Sequence, residues 1–272
     1  MKPLANENHL QLLQRHEEFL RKLGNDYSVP IIARQPEGLP RIVGTGCFFR
    51  CEREWFLVTA EHVASDFFPA DKQKPGSLPH SFCLVPGTDE RLTPITGRLL
   101  RSEEHDTAVF HIDKPEAIRA RWKPVTVLDL LPDNDAIKYP WYHVTGWPIE
   151  YSKRTDGVLG AEKFSFNAQA EPCAEPLESR HEFTFPLHRN EFVTIDGDSA
   201  RHPALQGISG APVWCIFSAD GAYRPRLAGI QHGYLDRHTT WLIKATKWGA
   251  MRMLIEIAFP GLFRSAEKLA GL

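Results

Sequence analysis

Apolar residues along this chain fall in short runs set apart by clusters of proline, glycine, aspartate and lysine. Runs of that length, dense in β-branched and aromatic residues, predict strands rather than helices. One set lies at about 28–35, 41–50, 54–60, 81–86, 95–101 and 107–112. A second lies at about 142–147, 163–169, 181–188, 191–195, 212–217 and 226–231, with Leu242 and Ile243 ending the sheet. Segment 113–140, rich in proline, aspartate and lysine, reads as the linker between the sets.

Two segments carry helical spacing instead. Residues 8–23 place Leu12, Leu13, His16, Phe19, Leu20 and Leu23 on one face, with Gly24 as the stop. Residues 246–258 place Trp248, Met251, Ile255 and Ala258 on another, and Pro260 and Gly261 end it before a short terminal helix. The first helix has two readings, a strap packed on a barrel or a docking and regulatory element. The chain shows no internal repeat and no low-complexity segment.

Composition is ordinary for a globular protein, and 272 residues suit one large domain or two small ones. A net charge of −2 argues against nucleic acid or an anionic membrane as the main partner. No apolar stretch reaches the ~18 residues of a membrane span, and the N-terminus lacks the apolar core of a signal peptide. The cysteines, Cys47, Cys51, Cys83, Cys173 and Cys215, are odd in number and lack framework spacing. Their pattern points to a reducing, cytoplasmic location. Cys47 and Cys51 share a strand face, and no second ligand pair accompanies them, so buried thiols are expected and no metal.

The chemistry is concentrated in Gly207-Ile208-Ser209-Gly210-Ala211-Pro212-Val213. A serine hydroxyl becomes a nucleophile only when a base takes its proton and donors hold the oxyanion that forms. A tight glycine-flanked turn exposes Oγ and lets backbone N–H groups converge. Two partners lie upstream. Phe56-Leu57-Val58-Thr59-Ala60-Glu61-His62 delivers a histidine at a strand tip, and Asp106-Thr107-Ala108-Val109-Phe110 opens a strand with an aspartate. Histidine exchanges a proton near neutrality, and a carboxylate on its other nitrogen fixes the tautomer. Gly197-Asp198-Ser199 imitates the nucleophile motif, but no glycine or apolar strand follows, and it reads as a polar turn.

These motifs, in the order histidine, aspartate, serine, resemble those of the trypsin-like (chymotrypsin-fold) serine peptidases. Gly44-Thr45-Gly46-Cys47-Phe48-Phe49, Val144-Thr145-Gly146-Trp147 and Ala228-Gly229-Ile230 are similar to strands of that family, and the resemblance covers roughly residues 40–245. Val63 stands where secreted relatives carry a disulfide cysteine, so the likeness is to disulfide-free bacterial and intracellular members. The resemblance implies an all-β fold of two six-stranded antiparallel β-barrels with N-terminal and C-terminal helices. The segments are then 1–26 (helix), 27–125 (first barrel, with His62 and Asp106), 126–245 (second barrel, with Ser209) and 246–272 (helix).

The same resemblance places the substrate pocket at Pro203, Ala204, Gln231, His232 and Gly233, with Tyr234 on its wall. No aspartate stands at the pocket floor, which disfavours Arg or Lys at the cut site. His232, where relatives usually have a serine, has two readings: a bond to Asp106, or part of a polar pocket for Glu or Gln side chains. Arg41-Ile42-Val43-Gly44 mimics a zymogen cleavage site, but Ile208 replaces the acid that a new α-amino group would pair with. Activation by a cut at Arg41 is not expected; Ile208 should pack inward and hold the turn. Glu61 is expected at the cleft rim.

The expected activity is endopeptidase: Ser209 as nucleophile, His62 as base and acid, Asp106 as its support, the Gly207 and Ser209 N–H groups as the oxyanion hole, and no cofactor. The oxyanion hole is either preformed or ordered by a protein activator. The alternative is a catalytically silent binding or scaffold module on the same fold.

Overall fold

The computed structural model describes residues 9–34, 38–67, 82–87, 91–131, 141–155, 158–169, 181–188, 204–219, 222–238 and 240–270. The chain opens with α1 (His9–Tyr27), followed by β1 (Val29–Arg34), β2 (Arg41–Cys51), β3 (Glu54–Thr59) and α2 (Glu61–Ala64). β4 (Phe82–Pro86), β5 (Leu92–Pro94), β6 (Leu99–Ser102), β7 (Thr107–His111) and α3 (Glu116–Arg119) complete the first half. The second half holds β8 (Trp141–Gly146), β9 (Ser152–Thr155), β10 (Val158–Ala161), β11 (Phe164–Gln169), β12 (Glu182–His188), β13 (Pro212–Ala219), β14 (Ala222–Arg237) and β15 (Thr240–Lys247). Two helices end the chain, α4 (Trp248–Ala258) and α5 (Leu262–Ala270).

Two antiparallel sheets organise these strands. The first runs β5-β4-β1-β2-β3-β7-β6 and the second β11-β8-β13-β14-β15-β12, with β9 and β10 forming a separate hairpin. Both sheets curl into half-barrels, and among the described residues the outer strands of each do not pair with each other to close it. The first sheet has seven strands rather than the expected six. The apolar run at 95–101 does not make one strand, because Gly97 turns the chain at φ +132°, where a Cβ would lie 2.0 Å from the His111 carbonyl oxygen. The chain pairs on either side of that bend, at β5 and at β6. The β9–β10 hairpin was not anticipated, and the expected strand at 191–195 lies outside the described residues.

Strand patterns follow burial. β12 alternates strictly, with Phe183, Phe185 and Leu187 inward, as a one-sided strand must. It lies at an edge, which is where Pro186, lacking an N–H, is tolerated. β3 is buried on both faces after its first residue. Three main clusters of buried side chains result, one in each half-barrel and one shared. The shared cluster joins Phe49, Phe56 and Val109 from the first sheet to Trp141, Trp214, Leu227 and Ile230 from the second, with Leu20, Leu23, Trp248, Met251 and Phe263 from the helices.

Helix α1 is a packed strap over its described side chains, with Leu20 and Leu23 in that shared core. It does not stop at Gly24 but continues to Tyr27. Gly24 serves close approach instead: a Cβ there would lie 2.7 Å from Thr145 Oγ1. Ser28 N–H closes the end of the helix on the Gly24 carbonyl at 3.3 Å. Cys47 and Cys51 point into the same core, as their spacing implies. Burial pushes the Cys47 thiol up to about 12. Cys173 lies outside the described residues.

Candidate active site

The first half of the site hangs from the end of β3. Thr59 is its last residue, Ala60 stays extended, and α2 begins at Glu61, which lifts His62 off the sheet with its side chain 46% exposed. A turn at residues 103–106 enters β7 and holds Asp106 at φ +43°, a left-handed conformation that aspartate tolerates better than most residues. Thr107 Oγ1 and Thr246 Oγ1 both donate to the His105 carbonyl, at 2.9 and 2.7 Å, and pin that turn to β15.

Asp106 and His62 meet through three contacts. The His62 backbone N–H donates to Asp106 Oδ1 at 3.0 Å, and Nδ1 lies 2.8 Å from Oδ2 and 3.1 Å from Oδ1. A carboxylate only accepts, so Nδ1 carries the proton and the neutral ring keeps its lone pair on Nε2. Burial alone would raise the Asp106 carboxyl. The imidazoles of His232 and His62 outweigh it and hold the group well below the usual carboxylate range.

The second half is the turn 206–210 that carries Ser209. It docks directly on the strands that deliver the histidine. Thr45 N–H donates to the Ser209 carbonyl at 2.8 Å, and Thr45 Oγ1 donates to the Gly207 carbonyl at 2.8 Å. Thr59 Oγ1 in turn donates to the Thr45 carbonyl at 2.7 Å. Gly210 fits over this pair only because it lacks a side chain: a Cβ would stand 1.9 Å from Thr45 O and 2.1 Å from Thr59 Oγ1. Gly44 is pressed by both halves, its missing Cβ site lying 2.4 Å from Val63 Cγ1 and 3.1 Å from Ser209 O. The segments bearing His62 and Ser209 therefore abut across β2.

Within the turn, the Ile208, Gly210 and Ala211 N–H groups are engaged by Leu205, Gln231 and Ile208 carbonyls at 3.1, 2.7 and 2.9 Å. Among the described residues, the N–H groups of Gly207 and Ser209 donate to none, and no hydrogen bond joins Ser209 Oγ to His62 Nε2. Gly207 holds φ +92° against the Trp147 carbonyl. Ile208 is fully buried and lies against Gly146, which is the inward packing its sequence position called for.

Other expected site residues are distributed unevenly. Pro203 and the look-alike Ser199 lie outside the described residues. Ala204 is exposed, with its N–H held by Glu150 Oε2 at 2.7 Å. Gln231 is buried; its carbonyl anchors Gly210, and its Nε2 donates to the Gly233 carbonyl at 3.1 Å. Gly233 faces open space. His232 is buried beside the aspartate, with Nδ1 3.5 Å from Asp106 Oδ2.

Glu61 is not at a rim. Neighbours on a single helical turn point apart, and while His62 turns outward, Glu61 is buried against Arg101 Nη1 at 3.3 Å. Thr45, Thr59 and Glu182 were not anticipated as parts of the site. Glu182 Oε1 lies 3.3 Å from His232 Nε2. Among the described residues no group of three or more His, Cys, Asp and Glu side chains is arranged to hold a metal ion, and no described helix is long and apolar enough to cross a membrane. No protein-family model matches the chain, and no curated protein matches its sequence.

Proposed function

We propose that this chain is a serine endopeptidase of the trypsin-like kind, its two half-barrels corresponding to the two barrels of that fold. The observation that carries the reading is the docking of the Ser209 turn on Thr45 and Thr59, beside a His62 whose Nδ1 is held by Asp106. Ser209 Oγ attacks the scissile carbonyl as His62 Nε2 takes its proton. Asp106 stabilises the imidazolium, and the unengaged Gly207 and Ser209 N–H groups receive the oxyanion. His62 then returns the proton to the leaving amine. Water, activated by the same imidazole, frees the acyl group from Ser209. Unliganded sites of this kind often complete the serine–histidine bond only with substrate in place.

The substrate is a protein or peptide, with Arg and Lys disfavoured at the cut site because Pro203 stands where the resemblance puts the pocket floor. Cys47 and Cys83 are buried free thiols, which suits a reducing, cytoplasmic setting. The catalytically silent scaffold reading rests on the open Ser209–His62 bond, and one experiment separates the two. A fluorophosphonate probe should label the wild type and cleave its leaving group, and Ser209→Ala should abolish labelling. The same variant should cut turnover of a casein digest by about 10⁴–10⁶-fold. Equal labelling of Ser209→Ala would overturn the assignment, and no labelling or cleavage by the wild type, with or without a cell extract as activator, would favour the scaffold.

A further inference from the structure

His232 interrupts the sheet that carries it. The β14–β15 pairing slips between Gln231 and Gly233, so His232 is the extra residue of a bulge, and a bulge re-aims its side chain. The ring is 6% exposed, and each of its nitrogens faces a carboxylate. Nδ1 lies 3.5 Å from Asp106 Oδ2, and Nε2 lies 3.3 Å from Glu182 Oε1. Nε2 is buried and lacks an aligned hydrogen-bond partner among the described residues, which leaves Glu182 as its electrostatic partner. On the other side of Asp106 sits His62. The side chains thus run His62, Asp106, His232, Glu182, imidazole alternating with carboxylate.

The donor arithmetic of that row is unequal. Carboxylates only accept, and a neutral imidazole has one N–H, so only a doubly protonated His232 ring donates to both neighbours. A positive charge there draws on the negative charge of Asp106, which His62 would otherwise feel alone. Among the described residues, Asp106 from the turn before β7 and Glu182 from β12 face the ring directly; His62 from α2 contacts Asp106, His105 from the same turn packs on His181 beside Glu182, and Lys244 on β15 pairs with Gly233.

We propose that His232 and Glu182 extend the His62–Asp106 pair into a four-membered chain that sets the proton affinity of His62. The proposal rests on the serine-hydrolase reading above. His232 is the positioning residue beside Asp106, and Glu182 faces the other nitrogen of its ring.

Two variants and two readouts test it. His232→Asn keeps a donor for Asp106 and removes the titratable ring; Glu182→Gln, at the end of the row away from His62, removes the second carboxylate. The first readout is the rate of fluorophosphonate labelling from about pH 5 to about pH 9, and the second is the ring-proton NMR titration of His62, which needs no turnover. In His232→Asn, Asp106 serves His62 alone, so the His62 midpoint should rise by about half a unit to one unit, and the acid limb of labelling should move up with it. Glu182→Gln should move both in the same direction by less. Labelling lowered equally at every pH, with an unmoved midpoint, is what a merely structural role gives, and it would overturn the proposal. An unmoved NMR midpoint in both variants would do the same. If the NMR midpoints move while even the wild type resists the probe, the four-membered chain stands and the hydrolase reading falls.

Discussion

Asp106 collects contacts from both His62 and His232, and its environment has a measurable consequence for stability. Its folded carboxyl is held below the ordinary range by two imidazoles. A depressed carboxylate stabilises the fold above its unfolded value of roughly 3.9, and the contribution drains away as pH falls below that value toward the folded one. Urea midpoints of the wild type and Asp106→Asn should therefore differ at neutral pH and draw together on acidification below about pH 4; a gap that holds constant with pH would show that the carboxylate charge is not responsible. At this scale much of the site was legible. His62, Asp106 and Ser209 each sit at the tip of a short apolar run, and the spacing of polar tip and buried strand is a local signal. Glu61 was misplaced because sequence shows adjacency to a histidine but not which way each side chain leaves a single helical turn. Glu182 gave no local signal at all: its place beside His232 depends on the register of β12 on β15 and on a bulge in β14.

At the scale of elements, glycines decide how closely segments approach. Gly210 combines φ +91° with a carbonyl 1.9 Å from its missing Cβ. Gly210→Ala should lose probe labelling even where circular dichroism shows a folded protein, because relieving the clash lifts the Ser209 turn off Thr45. Retained labelling would mean the turn tolerates that shift. Gly24→Ala tests the strap. Alanine favours helix by about 1 kcal/mol over glycine, yet its Cβ would press on Thr145 Oγ1 and Cγ2 at 2.7 and 2.8 Å. Overpacking of this kind costs about 1–3 kcal/mol, so denaturant unfolding should show a net loss of stability; a gain would mean the helix end is free to move. These contacts explain why α1 was predicted to end early. In sequence a glycine after an apolar periodic run signals a stop, and only the neighbouring strand reveals a glycine kept for clearance. The strand at 95–101 failed for the related reason that Gly97 was hidden inside an apolar run.

At the scale of the molecule, the two sheets share a core instead of merely facing each other. Trp248 packs tilted against Phe49 with ring centroids 4.6 Å apart, and Phe263 stacks on the same ring at 5.6 Å. The C-terminal helices thereby clamp a strand of the first sheet while following directly from the last strand of the second. Trp248→Ala should cost about 3–5 kcal/mol. Fluorescence and circular dichroism should report one coincident unfolding transition in the wild type, as expected of a single cooperative unit; two separated transitions would mean the half-barrels unfold independently.

The buried Ile208 has a last implication for how such a molecule comes into working order. Ile208, next to the serine, is fully buried and carries no acid for a freshly cut chain end, and Arg41 opens the strand β2, where it pairs with Ala33 of β1. Severing the backbone after Arg41 would create an ammonium that finds no acid at position 208 and would loosen the strand that carries Thr45. If the chain is the peptidase proposed above, a nick after Arg41 is expected to lower its activity rather than raise it.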